Sequence, residues 1–223
     1  MMYRIFGIFS VCLILGIPTA FPEEDLDKIV DEVQKAYEKT GSLEARFTQE
    51  AEVKSLGKKQ EASGSVYIKK PGKMRWNYLT PEKQFIISDG AKIWFYFPED
   101  NQVMEEEVVD YFQSKSPMLF LTGKANLREL FTIQFEDRIK DDTLSEAYFL
   151  RLTPGKQEAT YRKIVLAVRK SDFQIVGVSV EDLLGNLTRI RFQEMIVNTE
   201  LDDSLFQFTR PEGVEVYGPS GQE

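Results

Sequence analysis

The chain has 223 residues, 42% hydrophobic and 29% charged, which suits one globular domain with a sizeable core and rules out a low-complexity or disordered chain. Histidine is absent and the only cysteine, Cys12, lies in an N-terminal apolar stretch. The folded part therefore lacks the groups for Ser-His-Asp or Cys-His catalysis, HExxH zinc sites, Cys/His metal clusters and disulfides. A formal charge of −8 supplies no positive footprint for a polyanion and argues against a nucleic-acid partner.

The first twenty residues carry a basic Arg4, an uncharged run from Ile5 to Ile17, and small residues at Thr19 and Ala20. This pattern predicts a secretory signal peptide over residues 1–20, followed by one domain over 21–223. The run falls short of the roughly 20 apolar residues that span a bilayer, so a permanent anchor is disfavoured. Next, Leu26, Ile29, Val30, Val33, Ala36 and Tyr37 recur at helical spacing opposite Asp27, Asp31, Glu32 and Lys35. They predict an amphipathic helix that stops at Thr40-Gly41, where the glycine is expected to take the left-handed conformation.

The period then changes to two. Leu43, Ala45, Phe47, Gln49, Ala51 and Val53 alternate with charged and polar neighbours, which predicts a strand with one wet face. Strand-like runs follow at Gly64 to Lys70, Met74 to Leu79, Phe85 to Ser88, Ile93 to Phe97 and Val103 to Val109, and then from Thr132 to Met195. Turn chemistry separates them, including Pro71-Gly72, Asp89-Gly90, Pro154-Gly155 and Gly185-Asn186. So many consecutive strands without long helices predict an antiparallel meander that must curl or close. Between Asp110 and Phe131 the rhythm breaks: Ser116-Pro117 resembles a helix start ahead of Met118-Leu119-Phe120-Leu121, with a second short helix expected from Asn126 to Phe131.

Two short motifs are set aside. Ser55 to Lys58 matches SxxK and Lys39-Thr40-Gly41 matches KTG, but their order is the reverse of that in the serine acyltransferases and Ser55 falls in a hairpin-like region. Acid pairs such as Asp141/Asp142 and the run Glu105 to Glu107 fit solvated turn and edge charges better than a glycosidase pair. The distinctive feature is an aromatic and aliphatic excess. Phe85 to Ile87 and Ile93 to Phe97 are continuous apolar runs, and Met74, Trp76 and Tyr78 share a face. Either both sheet faces are covered, with a helix packed on one, or one face lines an apolar pocket.

Four blocks carry a resemblance to a known family: Leu43 to Gln49 (LEARFTQ), Gly64 to Trp76 (GSVYIKKPGKMRW), Ser88 to Tyr96 (SDGAKIWFY), and Leu201 to Val216 (LDDSLFQFTRPEGVEV). In this order and over nearly the whole expected domain, the chain resembles the outer-membrane lipoprotein carriers, the LolA family. The resemblance implies a mainly β fold with a helical lid: a single incompletely closed antiparallel β-barrel covering an apolar cavity. It implies a non-enzymatic periplasmic carrier, monomeric and free of cofactors and metal. Such a carrier accepts triacylated lipoproteins from an inner-membrane ABC transporter and delivers them to the outer-membrane acceptor LolB. Lys70 stands where the family typically has an arginine that clasps the lid, and it keeps the charge without the planar fork. Met74 stands where phenylalanine is common, and Ser116 to Leu121 resembles the helical element beside the cavity. Strand phase and this resemblance nominate Phe47, Met74, Trp76, Ile87, Phe95, Phe97, Met118, Leu119 and Leu121 for contact with acyl chains. A one-residue register change would turn any of the strand positions to the other face. Two further readings stand beside the carrier: a periplasmic lipid-sensing or regulatory module of related fold, and a hydrolase with an all-carboxylate site.

Overall fold

The structure is a computed structural model and describes residues 25–108, 126–136, 144–155 and 161–217. Helix α1 (Leu26–Lys39) starts at Asp25, whose carboxylate accepts the backbone N–H groups of Asp27 and Lys28 at 3.1 and 3.4 Å. It buries Ile29, Val30 and Val33 on the expected face. Its end differs from the sequence expectation. The cap is Thr40 in an extended conformation, and Gly41 has no positive φ. Long-range bonds hold Gly41 instead: its N–H donates to Asn198 Oδ1 and its carbonyl accepts the Lys70 N–H, both at 2.8 Å. The helix therefore passes directly into the sheet.

Strands β1 (Ser42–Val53), β2 (Lys58–Lys69), β3 (Lys73–Thr80), β4 (Gln84–Asp89), β5 (Lys92–Phe97) and β6 (Gln102–Glu107) form one meander. After the short helix α2 (Leu127–Leu130), strands β7 (Phe131–Phe135), β8 (Ala147–Pro154), β9 (Tyr161–Arg169), β10 (Ile175–Asp182) and β11 (Leu187–Val197) form a second. Antiparallel pairing of β1 with β11 joins the two meanders. A 3₁₀ turn (Asp203–Phe206) leads to β12 (Glu215–Tyr217), which pairs with β6 in parallel and which sequence periodicity missed. The described strands thus make one 12-stranded sheet with β12 at one edge and β7 at the other, curled but not closed. The mainly β architecture, an incompletely closed barrel, is as expected.

One face of this sheet carries two clusters of buried apolar side chains. Leu150, Leu152, Ile164 and Leu166 pack under α1, and Phe47, Val66, Met74, Trp76 and Phe192 make a second cluster. Val178 packs against both, so the two clusters share a face. The register places Phe47 opposite Gly64. A Cβ on Gly64 would lie 1.9 Å from the Asn77 carbonyl oxygen and 3.0 Å from Phe47 Cε1, so only glycine fits under that ring.

The other face explains the continuous apolar runs. The 3₁₀ turn packs against β3 and β4 there. Phe206 is buried, while Phe208 packs on Trp94 and Tyr96 with ring centroids 5.8 and 5.5 Å apart. Both faces of β4 and β5 are therefore covered, one by the inner cluster and the other by the C-terminal segment.

Candidate functional site under helix α1

Where α1 meets the sheet, a cavity of about 50 Å³ lies between Val33 and Tyr37 of α1, Leu43 of β1, Ile68 of β2, and Phe192 and Met195 of β11. Each strand contributes here because alternation puts Leu43 in phase with Ala45 and Phe47, and Ile68 in phase with Val66. The space admits only a few water-sized molecules, far less than an acyl chain.

Lys70 closes one end of this cavity. Its ammonium donates to the Tyr37 carbonyl in the last turn of α1 and lies 3.7 Å from the centroid of the Tyr37 ring. A cation at a helix C-terminus meets the negative end of the peptide dipoles and an otherwise unsatisfied carbonyl. Partial burial pushes the Lys70 pKa below its ordinary value, opposed by the nearby Glu38 carboxylate.

The residues nominated from sequence divide into three sets. Phe47, Met74 and Trp76 are buried together, with Phe95 packed against them. Phe47 and Trp76 meet edge to face at 5.0 Å, and Trp76 reaches Phe192, a cavity wall, at 6.1 Å. Phe97 lies on the same face by register, two positions beyond Phe95. Ile87 is placed elsewhere: it pairs with Arg75 and Trp94 on the face covered by the C-terminal segment, whereas its neighbour Ile86 lies opposite Trp76 and Phe95 on the inner face. A continuous apolar run gives no alternation from which to choose between Ile86 and Ile87. Met118, Leu119 and Leu121 lie outside the described residues. Of the described residues singled out from sequence for the site, Lys70 alone lines the cavity itself. Phe192 and Met195 were missed because their place depends on the pairing of β11 with β1, which no local pattern announces.

Trp76 is 1% exposed, and its indole N–H is the only buried side-chain donor without an acceptor among the described residues. Such donors are rare, because leaving one unpaired costs its desolvation. The described residues also place no group of three His, Cys, Asp or Glu side chains that could hold a metal. The chemistry on offer is apolar burial beneath a helix whose last turn accepts a hydrogen bond from the Lys70 ammonium.

A family model described as outer membrane lipoprotein carrier protein LolA matches residues 38–209. An outer-membrane lipoprotein carrier protein of Methylococcus capsulatus is 35% identical over 176 residues, 79% of this chain and 81% of the relative. Another, of Nitrosomonas europaea, is 30% identical over 209 residues, 94% and 95% of the two chains. The crystal structure of an uncharacterized conserved protein from Thermus thermophilus shares the fold, with a TM-score of 0.54 at 15% identity over 86% of this chain and 98% of that one.

Proposed function

The chain belongs to the LolA family of outer-membrane lipoprotein carriers, and from that membership we propose that it binds the acyl chains of triacylated lipoproteins beneath α1. In this reading it is a periplasmic carrier and not an enzyme, exported by means of residues 1–20 and acting as a monomer. It takes cargo from an inner-membrane ABC transporter and passes it to a LolB-type acceptor.

The observation that carries the reading is the apolar face that runs under α1 with almost no free volume beneath it. Burying three chains of about 15 methylenes at ~0.8 kcal/mol each would nominally yield ~36 kcal/mol. That exceeds the ceiling of roughly 18–21 kcal/mol for noncovalent affinity, and such a complex would never release. A carrier that lacks a chemical energy source needs an empty state with a good alternative. Here the alternative is α1 itself, whose Ile29, Val30 and Val33 already cover Leu150, Leu152, Ile164 and Leu166, in the cluster that adjoins the Phe47 and Trp76 cluster through Val178. Exchanging those contacts, together with the Lys70 latch, for acyl chains subtracts from the gross burial energy and leaves a moderate net affinity. Phe47, Met74, Trp76, Phe95 and Phe97 are the proposed cargo surface on the sheet, and Met118, Leu119 and Leu121 belong to the same proposal.

Incubation of the purified protein with spheroplasts tests this. Lipoprotein should appear in the soluble fraction as a complex with the chain, and its retention on the membrane throughout would refute the carrier reading.

A further inference from the structure

We propose that the adjoining tips of the β1–β2 and β10–β11 hairpins form a peripheral contact site for an anionic phospholipid surface. This surface lies at the far end of β1 from Lys70, and the inference does not depend on cargo binding under α1.

The two tips are neighbours. Lys54 N–H donates to Asn186 Oδ1 at 3.1 Å, and the Lys54 side chain lies along Gly185, with Cδ 3.0 Å from where a Cβ would sit. Each turn is held independently of its apolar residues. Leu56 N–H donates to the Val53 carbonyl at 3.1 Å, and Gly57 takes a φ of +58°. In the second turn both Asp182 carboxylate oxygens accept from Asn186 at 2.8 Å, and Gly185 takes a φ of +84°. Glycine, aspartate and asparagine thus supply the turn geometry, and nothing in it requires leucine. Yet Leu56, Leu183 and Leu184 occupy these tips at 66%, 58% and 82% exposure. Three large aliphatic side chains exposed on adjoining turns leave apolar surface in water until something apolar receives them.

Charge selects the occupant. Lys54 and Lys58 flank Leu56, are exposed, and have no ion pair among the described residues. Most nearby acids are already engaged, Glu50 with Arg189 and Lys59, Glu181 with Arg162 and Lys163, and Asp182 in its own turn, while Glu52, opposite Lys59 and Leu187, has no ion pair among the described residues and leaves the two lysines in excess. Arg162 also donates to the Leu183 carbonyl at 3.3 Å. A chain of formal charge −8 is repelled by an anionic bilayer over most of its surface, so this end sets the orientation of approach. Leucines at the apex with lysines around them match the acyl boundary and the headgroup layer respectively. The contact is peripheral, since no described helix is long and apolar enough to cross a membrane.

Cosedimentation of the protein recovered from the periplasmic fraction tests the site. It should pellet with vesicles of phosphatidylglycerol and phosphatidylethanolamine, and only weakly with pure phosphatidylcholine. Replacing Leu56, Leu183 and Leu184 together by Ser should lower partitioning by about tenfold or more, and Lys54→Gln or Lys58→Gln by about fivefold each. A Leu184→Trp variant should gain blue-shifted emission on addition of the anionic vesicles, which reports contact without removing apolar surface. Equal sedimentation of parent and triple variant overturns the proposal. It is also overturned if the parent ignores vesicles but forms a concentration-dependent dimer that the triple variant lacks, because the tips would then be an interface between copies.

Discussion

The Lys70 ammonium donates to the Tyr37 carbonyl and stands 3.7 Å from the centroid of the same residue's ring, so one side chain ties the last turn of α1 to the end of β2. Replacing it by leucine removes that tie from the closed, empty state and leaves the acyl-bound state untouched. A Lys70→Leu variant should hold a fluorescent triacylated lipopeptide about three- to tenfold longer than the parent before transfer to acceptor. Faster release would overturn the latch.

Asp203 tests how the C-terminal segment is held. Its carboxylate meets Lys69 at 2.6 Å and Lys73 at 2.9 Å. Hydrogen bonds from Lys69 and then Lys73 lower its pKa from 3.8 to about 2, against the opposing effect of desolvation. The stabilisation is complete above pH 3.8 and is lost as the pH falls toward about 2. Trp94 packs against Phe208 of the same segment, so its emission should report loosening in that window. An Asp203→Asn variant should already be looser at neutral pH and show a flatter acid response.

Two glycines separate steric exclusion from backbone strain. Gly64→Ala puts a Cβ 1.9 Å from the Asn77 carbonyl oxygen and should lower stability in urea by about 3 kcal/mol. Gly57→Ala meets no atom within 4 Å and suffers only its positive φ, so about 1 kcal/mol is expected. Equal losses would contradict the close approach of β2 to β3.

The unpaired indole of Trp76 makes an asymmetric prediction. Trp76→Phe deletes a buried donor that has no acceptor, so its lost packing is offset and stability should stay within about 1 kcal/mol of the parent. Trp76→Ala empties the cluster beside Phe47 and should cost about 3–5 kcal/mol. A loss above about 2 kcal/mol for the phenylalanine variant would mean that the N–H has a partner after all.

Local pattern was enough for much of this molecule. The period of Leu26 to Tyr37 set the buried face of α1, and alternation from Leu43 onward set Phe47 in phase with Ala45 on the buried face of β1, because both depend only on a residue's own neighbours along the chain. The four blocks of family resemblance extended that reading to the carrier fold and to Lys70. Three other features depended on partners distant in sequence. Ile86 and Ile87 were indistinguishable until β4 was set between β3 and β5, because a strand covered on both faces has no polar alternation. Phe192 became a cavity wall only through the pairing of β11 with β1. Gly41, expected to close α1 in a left-handed conformation, is instead held by bonds to Asn198 and Lys70. Chemical character and period are local properties of the chain, whereas the choice of face, the walls of a cavity and the end of a helix depend on which remote backbone arrives to bond there.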